Sequence, residues 1–189
     1  MSEEDDMITP EFPRDLLMTG AIFGVAAFIW AGWAQERPPR HWIWRVLLAV
    51  IGLGGIALAA LSIPRAIRNW SSPTAIEVGG PAFITYVVVF WVEVIAMIVL
   101  SILATRRGRS DLIAPLILAV VGIHFLPLAW VFGQPILAVT GALVTIVAAF
   151  ATRPPLTIAA RSFWCGIVGG PILLISGAVC AAAGAAALA

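Results

Sequence analysis

Apolar runs of membrane-spanning length recur along the chain, each closed by Arg, Pro, Gly-Pro or an acid. Six segments carry the pattern: 16–34, 43–62, 83–105, 112–132, 135–152 and 162–188. A helix of about 20 apolar residues crosses the roughly 30 Å hydrocarbon core of a bilayer. The pattern therefore predicts an all-α polytopic membrane protein. An acidic tail over 1–15 precedes one membrane domain over 16–189, a bundle of six transmembrane helices. Gly133-Gln134 alone separates the fourth and fifth segments, and Pro135 opens the fifth, so the two form an antiparallel hairpin. The longest break, 63–82, is polar and holds Pro64, Pro73, Gly79, Gly80 and Pro81.

Composition agrees with the pattern. Apolar residues make up 61% of the 189 positions and charged residues 11%. Soluble domains carry about 45–50% and about 25%. A soluble enzyme, a disordered tail and a nucleic-acid binder are excluded on this ground. All 11 basic residues are Arg. Eight of them (Arg37, Arg40, Arg45, Arg106, Arg107, Arg109, Arg153, Arg161) flank the odd-numbered loops, against Arg14, Arg65 and Arg68 on the other side. Because basic loops stay in the cytoplasm, both termini are expected outside it. Trp30, Trp33, Trp42, Trp44 and Trp164 then fall near the inner boundary, and Trp70 and Trp130 near the outer one, as an aromatic belt.

Two ionisable residues break the apolar segments. Glu93 lies eleventh in 83–105. An acid near mid-span costs about 2.5–3.5 kcal/mol on insertion scales and usually faces the bundle interior. His124 lies in 112–132, antiparallel to Glu93's helix. Both side chains sit about 12–15 Å from the same end, so they can meet if their faces match and then share a proton. Tyr86, two turns before Glu93, extends a polar stripe on one face. Pro127 leaves the Ile123 carbonyl without its helical donor, and Gly169-Gly170-Pro171 marks a second kink site.

Small residues at helical spacing (Gly52, Gly55 and Ala59; Gly166 and Gly170; Ser176, Cys180 and Gly184) predict close helix packing or contacts between copies. Cys165 and Cys180 are about 22 Å apart on one helix and cannot pair with each other. No HExxH, clustered His/Cys set, acidic pair for a metal site, GxSxG or phosphate-binding glycine loop occurs. No metal or cofactor is expected, and the enzyme reading is the weakest.

The stretches YVVVFWVEVIA (86–96), GIHFLPLA (122–129) and GAIFGVAAFIWAGWAQERPP (20–39) resemble small multi-pass membrane proteins of high-GC bacteria, a group with no assigned function. That resemblance implies a bacterial plasma membrane and assigns no site residue. Two functional readings stand. In the first, the chain is a non-catalytic membrane protein that binds or stabilises a membrane partner or a second copy, through the tail or the 63–82 loop. In the second, it is a small proton-coupled transporter using Glu93 and His124, with Tyr86 extending the path outward. The half inward of Glu93 offers only Ser101 and Thr105 before Arg106, so that half is expected to be dry.

Overall fold

A computed structural model describes residues 7–189, and every regular element among them is helical. Glu3, Glu4, Asp5 and Asp6 of the acidic tail lie outside the described residues. Six helices follow in order: α1 (Pro13–Ala34), α2 (Ile43–Arg68), α3 (Pro81–Arg106), α4 (Ile113–Phe132), α5 (Pro135–Ala151) and α6 (Arg161–Ala186). A 3-10 turn at Ser110–Leu112 leads into α4. Five helices are long and apolar enough to cross a membrane. The sixth, α5, has 17 residues and is about 26 Å long at 1.5 Å per residue. The expectation of six full-length spans thus becomes five long helices and one short one.

Local chemistry explains the ends. Pro13, Pro81 and Pro135 open α1, α3 and α5, where the missing N–H costs nothing because first-turn amides have no helical partner. Gly133 ends α4 in the left-handed region (φ +60°), which needs a residue without a Cβ. One boundary was misjudged from sequence. Pro64 suggests a stop near 62, yet α2 continues through it to Arg68. An interior proline costs about 3 kcal/mol, and packing of the fully buried Ala66 on the far side offsets part of it. Irregularity in the last helix falls just before Gly170-Pro171. Cys165–Gly169 widen into a π turn there. Pro171 has no N–H for the Ile167 carbonyl, so the regular ladder cannot run through this point. By contrast α4 remains helical across Pro127.

Close backbone contacts hold α1 between α2 and α6. Gly24 and Gly55 each face the other's carbonyl, Gly166 sits against the Trp30 carbonyl, and Gly177 packs on the Cβ of Phe23. The small-residue stripes thus serve packing within one chain. A second pair, α4 and α5, is zipped by Gly122 and Gly141. A half-buried Thr140–Ser176 hydrogen bond of 2.8 Å links α5 to α6. Helix α3 packs on α4 and the turn before it, and only its Ala104 is buried. Rows of large apolar side chains remain at the surface of α2 and α3, among them Val50, Leu53, Val88, Trp91 and Ile95.

The two ends of the bundle differ. At one end, Gly184 of α6 approaches the Pro13 carbonyl, so the start of α1 and the end of α6 lie together. Thr9 there pairs with the buried Gln134, its N–H donating to Oε1 (3.1 Å) and its carbonyl accepting from Nε2 (2.6 Å). The other end is tied by Ser162 donating to Glu36 (2.9 Å) and by an Arg161–Asp111 ion pair of 3.1 Å.

Candidate functional site

Helices α3 and α4 bring Glu93 and His124 together. His124 Nδ1 lies 3.2 Å from Glu93 Oε1, and the side chains are 15% and 12% exposed. The two atoms touch without the alignment of a hydrogen bond, so Nδ1 has no aligned partner. The depth match left this contact open in the sequence; the helix faces complete it. The next residue of α4 is Phe125, whose ring lies 4.3 Å from the His124 ring, centroid to centroid. Tyr86 stands seven residues before Glu93, about 10.5 Å along the helix axis, and packs edge-on against Phe132.

Both members of the pair, with Tyr86, line a cavity of about 600 Å³ between α1, α3 and α4. Small-molecule sites fall roughly within 300–1,000 Å³ and are mostly apolar with a few convergent polar groups. This cavity has that character. The α1 wall runs from Arg14 and Asp15 past Thr19, Phe23 and Ala26 to Trp30 and Trp33. These positions form one stripe at helical spacing. Trp30 and Trp33 stack with centroids 5.4 Å apart and close the end nearer the basic loops. Trp30, 5% exposed, faces inward and is not part of a surface belt. Beyond Glu93 the lining continues in apolar residues, Ile117 and Val121 among them, and Ser101 is not part of it.

Residues that sequence reasoning missed form the opposite end of the cavity. Asp15 accepts hydrogen bonds from the Thr74 hydroxyl (2.9 Å) and the Ala75 N–H (2.8 Å). Arg14 pairs with Asp15 at 3.5 Å, donates to the Trp70 carbonyl and lies 4.9 Å from the Trp70 ring centroid. These contacts fold the 69–80 loop over the cavity, where Trp70, Thr74 and Ile76 join the lining. The only sequence signal was an Asp in the first turn of a helix, a common favourable placement that names no partner.

Of the other singled-out residues, Pro127 and Pro171 do not line the cavity. Pro171 follows the π turn, whose Gly166 packs on α1 behind the cavity wall. Thr145 donates to the Gly141 carbonyl on its own helix and not across to another. Among the described residues no group of three His, Cys, Asp or Glu side chains could hold a metal ion. Chemically, the site offers a carboxyl and an imidazole in contact within an apolar chamber, closed at one end by indoles and roofed at the other by a tethered loop. No family model, curated protein or solved structure matches the chain.

Proposed function

We propose that the chain is a multi-pass protein of a bacterial plasma membrane that takes a small, mostly apolar solute into the α1–α3–α4 cavity and couples its passage to the proton of the Glu93–His124 pair. One observation carries the reading: two ionisable side chains from different helices meet on the wall of a cavity large enough for a small molecule. Buried ionisable groups in membrane helices cost free energy and mark ion and substrate pathways by default. Five helices of spanning length and the bare apolar surfaces of α2 and α3 support membrane insertion. The short α5 fits a bilayer that thins locally, at fractions of a kcal/mol per Å of mismatch. Arginine asymmetry supports both termini outside the cytoplasm. The cavity then lies between the tethered 69–80 loop on the outer side and Trp30 and Trp33 on the inner side.

The test is proton movement in proteoliposomes under an imposed pH gradient, alone and with cationic, anionic and neutral apolar solutes added in turn. Proton movement above that of empty vesicles, and lost in folded Glu93→Gln protein, is the expected result. Wild-type vesicles that match empty ones under every condition refute the reading. So does a Glu93→Gln protein that behaves as wild type does.

The partner-binding reading has one observation in its favour, the nearly bare α3. Against it, the 69–80 loop is engaged inside the chain by Asp15. Crosslinking from Trp91 and Ile95 positions in native membranes tests it: a discrete adduct supports it, and lipid adducts alone oppose it.

A further inference from the structure

Charge and surface inside the cavity define the solute more narrowly. Among the described residues its ionisable lining groups are Arg14 and Asp15 on α1, Tyr86 and Glu93 on α3, and His124 on α4; the 69–80 loop contributes none. Arg14 and Asp15 pair with each other at the mouth and cancel. Tyr86 offers a phenol hydroxyl. What remains is one carboxyl, with an imidazole in contact. A carboxylate in an apolar chamber needs a positive charge, because an unpaired buried charge is strongly disfavoured. Either a proton on the pair or a cation from outside can supply it.

The walls suit an organic cation. Indole, phenyl and phenol rings from all three helices and the loop face the chamber, including Phe23, Trp30, Trp33, Phe90 and Phe125. Aromatic faces attract cations, most strongly where water is excluded. The mouth already holds such a pair, the Arg14 guanidinium over Trp70. No lysine exists in the chain, and no arginine reaches the cavity beyond Arg14. Taking the proton-coupled reading as its premise, we infer that the cavity binds an aromatic or otherwise apolar organic cation, which displaces one proton from the Glu93–His124 pair to water. The exchange is one charge for one charge, and no bond other than the one to the proton breaks. Anions gain nothing here, since the only free positive site in the chamber is a protonated His124, which the Glu93 carboxylate neutralises.

The experiment uses the full chain in detergent, with tetraphenylphosphonium as the cationic probe and triphenylphosphine oxide as a neutral one of similar shape. Titration calorimetry in two buffers of different ionisation enthalpy counts the protons released. Wild type should bind the cation, release up to one proton, and weaken by about tenfold per pH unit where the pair is protonated. Glu93→Gln should bind it at least about tenfold less tightly, the loss of a close charge pair, and Glu93→Asp should retain most of the affinity. If Glu93→Gln fails to fold, the Glu93→Asp protein and the pH series decide alone. Equal binding of the neutral probe, unaffected by Glu93→Gln, overturns the cation class while leaving a solute-binding cavity. Cation binding that is independent of pH, or absent, overturns the inference. In those cases the vesicle assay still decides proton coupling separately, with the anionic and neutral solutes.

Discussion

Replacing Gly122 with Ala should destabilise the protein, whereas the same change at Gly32 should stabilise it. A Cβ at 122 would collide with the Thr145 hydroxyl, and would lie 2.7 Å from the Gly141 carbonyl oxygen and 2.9 Å from the Thr145 nitrogen. Two of these three atoms are backbone, so no rotamer change relieves the overlap. The helices cannot simply part either. Only Gly133 and Gln134 separate α4 from α5, and Gln134 is fixed by Thr9. Overpacking a tight interior costs about 1–3 kcal/mol, and backbone contacts place this site at the upper limit. Exchanging Gly for Ala in a helix returns about 1 kcal/mol. The net expectation for Gly122→Ala is a loss of about 2 kcal/mol. Gly32 is exposed in the last turns of α1, with nothing within 4 Å of its Cβ position. There the helix propensity acts alone, for a gain of about 0.5–1 kcal/mol. Unfolding in mixed micelles of rising dodecyl sulfate fraction measures both. A Gly122→Ala protein as stable as Gly32→Ala would refute the α4–α5 packing and, with it, the placement of His124.

Asp15→Ala should release the 69–80 loop without unfolding the bundle, because bonds to a carboxylate contribute about 1.5–3 kcal/mol each, net of the water they replace. Amide exchange at 74–76 should speed up by at least about tenfold, and unchanged protection there would contradict the tether. Thr140→Val and Ser176→Ala should show a coupling of about 0.6 kcal/mol in a double-mutant cycle, the mean for such bonds between membrane helices; strictly additive losses would place the two hydroxyls apart. Cys165 and Cys180, both buried, should resist a maleimide in the folded protein and react once dodecyl sulfate unfolds it. Rapid labelling of either in the folded state contradicts the packing of α6.

Helix positions were legible from the sequence because hydrocarbon thickness sets segment length, and Pro, Gly and Arg punctuate the segments. Depth was legible too. Counting residues from a shared end placed Glu93 and His124 at one level, and they touch. Rotation about each helix axis was not legible. A helix that is apolar all round carries little amphipathic signal to say which face turns inward. Trp30 and Trp33 therefore read as an interfacial belt from depth alone, although they stack at the closed end of the cavity. Arg14 and Asp15 read as tail residues because a charge near a span boundary is ordinary there. Their partner Thr74 is 59 residues away from Asp15, and nothing in the local pattern joins the two. Similarly, Pro64 spoke for a helix end, and only the buried Ala66 beyond it explains why α2 goes on.

The cavity follows from the way the close contacts are distributed. Glycines draw α2 and α6 onto α1, and others draw α5 onto α4. Helix α3 has no glycine between its first and last residues, and its bulky Val, Ile, Phe and Trp side chains keep neighbours at a distance. It reaches the rest of the protein through α4, so a gap opens between α3 and α1 where no small residue lets them close. Glu93 and His124 both belong to the α3–α4 hairpin, on one side of that gap. The α1 wall opposite them carries no ionisable group between Asp15 and the stacked indoles. Widening or narrowing the gap therefore changes the space left for a solute while leaving the Glu93–His124 contact intact. The proton site and the solute-sized space are thus separable within one cavity, the first fixed by the hairpin and the second by its distance from α1.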